Sequence, residues 1–225
     1  MKKTLLTLST ILLAAAVQAQ TYNARGDFNS WGETPLINNG DGTYSLTVSG
    51  GTAGAAFEWK IAQDGWTHNW PGSNLKSVYD ASGNFTFRFR PGSVADGWNP
   101  AADRVGYADP GMFGWEIIGS FDGWNSPLLS LNSMGSGLYS GSIAIAAPGS
   151  YDFKFRKAGD WAISIGADFG NSAGNATLTT TFPNQMAEFQ LDLPNGRWQV
   201  TAVPEPTVIA LLAAGTMLLV LRRKF

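Results

Sequence analysis

Hydrophobic and polar residues alternate strictly along three stretches of this chain. Tyr151, Phe153 and Phe155 fall on every second position, with Asp152, Lys154 and Arg156 between and beyond them. Side chains of a strand point alternately to its two faces, so the pattern predicts a strand with one aromatic and one charged face. Phe57, Trp59 and Ile61 repeat it against Glu58 and Lys60, and Phe85, Phe87 and Phe89 repeat it against Thr86, Arg88 and Arg90. The first two strands each run into a Gly-containing turn that delivers a tryptophan, Trp161 after Gly159 and Trp66 after Gly65. Trp59 alternates with core-facing Phe57 and Ile61 and is expected inside.

The same reading extends along the chain. Strands are predicted over residues 23–27, 44–48, 56–63, 76–79 and 84–90, then over 115–119, 138–144, 151–157, 162–165, 177–181, 187–193 and 197–201. Turn-forming clusters separate them, among them Asn38 to Gly42, Ser133 to Gly137, Pro148-Gly149 and Pro194 to Gly196. Many short strands with turns at this spacing predict an all-β, antiparallel protein.

The two sets of strands are copies. Gly26, Phe28 and Trp31 line up with Gly119, Phe121 and Trp124, and Gly42, Tyr44 and Ser45 with Gly137, Tyr139 and Ser140. The offset drifts slowly: 93 at Trp31/Trp124, 94 at Lys60/Lys154, 95 at Trp66/Trp161, then 101 at Asn74/Asn175 after an insertion in the second copy. A self-similarity of this period means two domains rather than a solenoid. The expected boundaries are a module over residues 20–98, a linker rich in Ala, Asp, Gly and Pro over 99–111, and a module over 112–202. Arg25-Gly26-Asp27 looks like an adhesion tripeptide, but its register with Ile118-Gly119-Ser120 makes it the end of a strand.

Charge and composition narrow the chemistry. The chain has 15 basic and 17 acidic residues; without Lys2, Lys3, Glu205, Arg222, Arg223 and Lys224, the remainder has 10 and 16, a net −6. An acidic middle argues against nucleic-acid binding. Cysteine is absent, which removes disulfides, thiolate nucleophiles and Cys-based metal sites. His68 is the sole histidine, so neither a His metal site nor a Ser-His-Asp set is supported. Carboxylates such as Asp64, Asp122 and Asp160 are scattered in turns, where no fixed glycosidase separation is evident. Binding without catalysis, and without a cofactor, is the expectation.

Both ends carry addresses. Lys2 and Lys3 precede an apolar run that ends in Val17-Gln18-Ala19, so residues 1–19 form a predicted secretory signal peptide. At the other end Pro204-Glu205-Pro206 precedes an apolar run over 207–221 and then Arg222-Arg223-Lys224. As a helix that run spans about 22 Å at ~1.5 Å per residue, a short transmembrane segment. Its basic flank should stay cytoplasmic and leave the rest outside. Tripeptide, span and basic cluster together resemble the PEP-CTERM sorting signal. That resemblance implies processing by an exosortase in the envelope of an exopolysaccharide-making Gram-negative bacterium; a permanent single-span anchor is the alternative.

The ordered set Gly119 to Trp124, Tyr151 to Phe155 and Gly159 to Trp161, with its counterpart in the first copy, resembles the immunoglobulin-like starch- and glycogen-binding modules. The resemblance implies two tandem immunoglobulin-like antiparallel β-sandwiches. It also implies the sugar contacts: Trp31, Lys60, Trp66 and Asn74 in the first copy, and Trp124, Lys154, Trp161 and Asn175 in the second. An indole offers a flat apolar face to the C–H side of a pyranose, while Lys donates to hydroxyls. The expected function is polysaccharide binding, to an α-glucan or another exopolysaccharide, by an exported protein at the cell surface or in the matrix. Two alternatives remain open at this point: a structural surface protein that keeps the fold and binds no sugar, and an accessory subunit that works through protein contacts. Exposed indoles at Trp66 and Trp161, beside Lys60 and Lys154, distinguish the first reading from the second.

Overall fold

A computed structural model describes residues 21–171 and 174–204. The predicted signal peptide, the span over 207–221 and the sorting residues Glu205, Pro206, Arg222 and Arg223 lie outside the described residues; Pro204 is exposed at their edge. Among the described residues there is no α-helix, and no helix long and apolar enough to cross a membrane. The protein is all-β, and every strand pairing is antiparallel.

The first half contributes β1 (Tyr22–Gly26), β2 (Thr34–Pro35), β3 (Ile37–Asn38), β4 (Tyr44–Val48), β5 (Ala56–Gln63), β6 (Asn69–Val78), β7 (Phe85–Ser93) and β8 (Ala102–Tyr107). They form two four-stranded sheets, in the orders β2-β1-β5-β6 and β3-β4-β7-β8. The second half contributes β9 (Trp115–Gly119), β10 (Leu129–Ser130), β11 (Asn132–Gly135), β12 (Leu138–Ile145), β13 (Gly149–Lys157), β14 (Asp160–Ile165), β15 (Ala176–Thr180), β16 (Gln185–Asp192) and β17 (Arg197–Ala202). Its sheets run β10-β9-β13-β14, with β15 also paired to β13, and β11-β12-β16-β17.

Within each half the aromatic strand faces meet. Trp59 of β5 lies edge-on to Phe87 of β7 at 4.9 Å, and Tyr22 of β1 to Phe89 at 4.8 Å. Phe153 of β13 meets Phe189 of β16 at 5.2 Å and Trp198 of β17 at 5.8 Å. Edge-to-face rings at these separations add to the burial of some of the largest side chains in the chain, each worth about 1.5–3 kcal/mol on burial alone. Trp59 is fully buried, as its alternation predicts.

Two differences from the sequence reading have physical causes. Residues 99–111, expected as linker, contain β8, whose Val105 and Tyr107 face the core while Arg104 and Gly106 lie on the other face, buried beneath the turn between β16 and β17. Four residues of alternation inside an Ala- and Asp-rich stretch are too short to register as a strand. The second difference is that β6 runs as one strand along β5 with a register break, Trp59 standing opposite Leu75 but Ile61 opposite Trp70, whereas in the second half the same path opens fully into β14 and β15. The residues between them, 166–175, are the insertion at which the offset jumps from 95 to 101.

The halves are knit together by backbone. Asn99 and Trp198 exchange two hydrogen bonds of 2.8 and 2.7 Å, and Asn171 N–H donates to Asn74 O at 3.0 Å. The turn between β16 and β17 sits on β8 so closely that a Cβ on Gly106 would meet Leu193 O and Pro194 O at 2.6 Å.

Candidate functional site

The repeated Gly-x-Phe-x-x-Trp segment folds identically in both halves. Trp31 N–H donates to Gly26 O at 2.8 Å, and Trp124 N–H to Gly119 O at 2.9 Å. Neither glycine has room for a side chain: a Cβ would stand 2.3 Å from Glu58 O in one copy and 2.3 Å from Asp152 O in the other. The loop thus leaves its strand where backbone of the neighbouring strand fills the space a side chain would take. Phe28 packs on Phe57 and Phe121 on Tyr151, anchoring the loop to the strand that bears the lysine.

The loop after the Lys-bearing strand supplies a second indole beside the first. Trp31 and Trp66 have ring centroids 6.3 Å apart, and Trp124 and Trp161 6.0 Å apart. Rings this close are in mutual contact and leave no gap for a sugar between them, so only their outward surfaces can take a ligand. Trp66 is 41% exposed and Trp161 47%, while Trp31 and Trp124 are half-buried. Trp31, Trp66 and Trp124 also hold left-handed backbone, with φ of 63°, 63° and 69°. For a bulky residue that costs on the order of 1–3 kcal/mol and is seen mostly where function requires it.

Beneath each second indole lies an arginine that the repeat does not predict. The Arg25 guanidinium sits 4.4 Å from the Trp66 ring centroid, and that of Arg156 4.6 Å from Trp161. Arg25 pairs with Glu33, and Arg156 with Glu116. The same carboxylates also accept the backbone N–H of a turn glycine next to the indole: Gly65 to Glu33 at 3.2 Å, and Gly159 to Glu116 at 3.1 Å. Each half therefore contains a Trp–Arg–Glu–Gly bracket that fixes the second ring from below. Arg25 stands on β1 opposite Lys60, whereas Arg156 stands on β13 opposite Glu116. These positions do not align in the repeat, where Ile118 answers Arg25 and Ala62 answers Arg156.

The expected lysines are on the same outward faces but are not free. Lys60 is only 9% exposed and donates to Gly72 O at 2.9 Å; Lys154 is half-buried and donates to Asn171 O at 3.3 Å. Burial lowers the pKa of both amines, and the charge of Asp168 opposes that shift in both. One carboxylate, supplied by the insertion of the second half, thus serves a lysine from each half. Asn74 donates to Glu58 at 3.0 Å, and Asn175 is exposed just before β15. In each half the structure brings together the two tryptophans, with the lysine on the same sheet; it ties Asn74 and Lys60 into the protein. Among the described residues no group of His, Cys, Asp and Glu is arranged to hold a metal ion.

Sheets and brackets together define an all-β, antiparallel protein that carries on each half a pair of touching indoles, the second of them exposed. No family model matches the chain, and no curated protein does. Among solved structures the chain is similar to a pullulanase from Bacillus acidopullulyticus, at 13% identity over 71% of this chain and 31% of that one, with a TM-score of 0.29. The chain thus spans under a third of that pullulanase, and the likeness is too loose to bear on fold or function.

Proposed function

We propose that this chain is an exported, envelope-sorted polysaccharide-binding protein without catalytic activity, built from two tandem immunoglobulin-like β-sandwiches, the first running through β8 to residue 107 and the second over residues 115–202. In this reading the leader over 1–19 exports it, and the segment over 203–225 is a PEP-CTERM signal handled by an exosortase. The ligand is an α-glucan or another exopolysaccharide at the cell surface or in the matrix.

One observation carries the reading: in both halves the second indole is solvent-exposed and held rigid by an arginine–glutamate bracket built from non-equivalent positions. A solubilising surface has no use for a large apolar ring fixed in water, whereas a sugar platform needs one whose ordering cost is already met. Asn171 N–H donates to Asn74 O, and the charge of Asp168 reaches both Lys60 and Lys154, so the lysine-bearing parts of the two halves are joined, which favours engagement of one long chain by both.

A second reading has its own support. Lys60 and Asn74 are occupied by the protein, so the first half has lost much of its polar apparatus for hydroxyls. On that reading the first module is a structural surface or matrix element, and binding falls to Trp124, Lys154, Trp161 and Asn175. Affinity electrophoresis of the chain through gels containing glycogen, amylopectin or β-glucan separates these cases. Retardation that falls stepwise with Trp66→Ala and Trp161→Ala supports two sites; loss with Trp161→Ala alone supports one. Equal mobility with and without polysaccharide removes the reading.

A further inference from the structure

A second, chemically different site lies on the opposite side of the first half. The outward face of β7 and β8 carries Arg88, Arg90 and Arg104, and the β16–β17 turn brings Arg197 against them. Together with the Asn39–Thr43 hairpin they enclose a cleft whose floor is the sheet and whose wall is the Pro194–Arg197 turn. Glycine makes this wall possible: a Cβ on Gly196 would meet Val105 O at 2.3 Å, and one on Gly106 would meet the turn's own backbone.

The charges in this cleft do not cancel. Asp96 takes two hydrogen bonds from Arg104, of 2.7 and 2.6 Å, and one from Arg197 at 2.9 Å, while Asp192 takes another from Arg197 at 2.8 Å. Two carboxylates thus offset two guanidinium groups. Arg88 and Arg90 are exposed, and among the described residues no ion pair engages either; the charge of Asp41, on the hairpin, reaches Arg90 from a distance. Arg90 stands directly opposite Arg104 across the strands, an arrangement that is destabilising for like charges. In a chain whose middle is net −6, this is a local inversion of sign in a concave place.

We propose that this cleft binds the oxyanion of an acidic polysaccharide, carboxylate or sulfate ester, with Arg88 and Arg90 as the primary partners and Arg197 as a third. Arg197 commits two of its five N–H donors to Asp192 and Asp96 and lies over the Trp98 ring at 4.4 Å, but its side chain keeps 26% exposure at the cleft. Planar guanidinium groups suit such oxyanions in a bidentate manner. The acidic remainder of the protein repels a nucleic-acid duplex, with about one charge per 1.7 Å of axis, more strongly than a single polysaccharide chain with one charge per sugar or fewer. The inference rests on the reading of the chain as a polysaccharide binder, but not on its indole platforms.

The test is calorimetric titration of the full-length chain in non-ionic detergent with oligogalacturonate, with carrageenan oligosaccharide and with neutral maltooligosaccharide. The companion variant is Arg88→Gln/Arg90→Gln, whose exposed positions leave the fold intact, checked by a thermal midpoint that does not fall. Binding of either acidic probe that weakens at least about ten-fold in the variant, with maltooligosaccharide titrations unaltered, supports the cleft and names the oxyanion. Parent chain that binds neither acidic probe, or a variant that binds them equally, overturns it. Loss of neutral binding in Trp66→Ala/Trp161→Ala with acidic binding retained separates the two sites.

Discussion

Arg25 and Arg156 occupy positions that do not correspond in the repeat, yet each guanidinium lies under the second indole of its own half, at 4.4 and 4.6 Å from the ring centroid. Each also pairs with a glutamate that holds the turn glycine beside that indole. The bracket has been rebuilt, not copied. That both halves keep it through different residues marks the rigid ring as the property being maintained.

The two brackets differ in burial, and so in what their loss costs. Glu116 is 4% exposed, whereas the Glu33 side chain is 45% exposed. Arg156→Met strands a buried carboxylate and should destabilise by about 3–5 kcal/mol, while Arg25→Met leaves behind only an exposed carboxylate and should cost less. Denaturant midpoints of Arg156→Met, Arg25→Met and Arg156→Met/Glu116→Gln check this; the double change should recover most of the larger loss.

Gly26 and Gly119 are required by space and not by backbone angle. Gly119→Ala places a methyl group against Asp152 O and the Phe121 ring. Overpacking of this kind costs about 1–3 kcal/mol and shifts the Trp124 loop. Thermal unfolding together with tryptophan fluorescence reads both effects, and an unchanged spectrum would contradict the loop's dependence on the glycine.

Asp168→Asn keeps the shape of the insertion loop and removes the charge that both lysines feel. The pKa of Lys60 and of Lys154, already lowered by burial, should fall further. Below 10.5 and above the folded value, the unfolded chain holds more protons than the folded one, so stability rises with pH across that window. The variant widens the window; lysine NMR titration and unfolding midpoints on the alkaline side should show a lower amine pKa and a steeper rise.

Acid should loosen the junction between the halves first. Hydrogen bonds from Arg104 hold the Asp96 carboxyl well below its usual value of 3.8, and Arg197 of the other half adds to this. A depressed carboxylate contributes stability above its unfolded pKa and loses it as pH falls toward the folded one. Urea midpoints should therefore drop below about pH 4, and Asp96→Asn should be less stable at neutral pH with a flatter acid limb.

Much of this was legible in the chain itself. The strands at Tyr44–Val48, Ala56–Gln63 and Trp115–Gly119 follow from period-two alternation to the residue, because each has one aromatic or aliphatic face against a core. The paired tryptophans follow from the repeat. The brackets do not, since aligning copies compares like positions, and Arg25 and Arg156 reach the same place from neighbouring strands. Glu33 and Glu116 are equally displaced. Only strand register, which brings Arg25 opposite Lys60 and Arg156 opposite Glu116, makes the equivalence visible. Asp168 was hidden for another reason: it lies in the insertion, where the first copy offers nothing to compare.

That insertion also removes the interchangeability that tandem duplications begin with. The segment carrying Asp168 and Asn171 reaches back to Lys60 and Asn74 of the earlier copy, and the shorter copy has no equivalent segment to take its place. A chain with its halves transposed would lose that embrace, so the order of the pair along the polypeptide has become as fixed as the fold of either member.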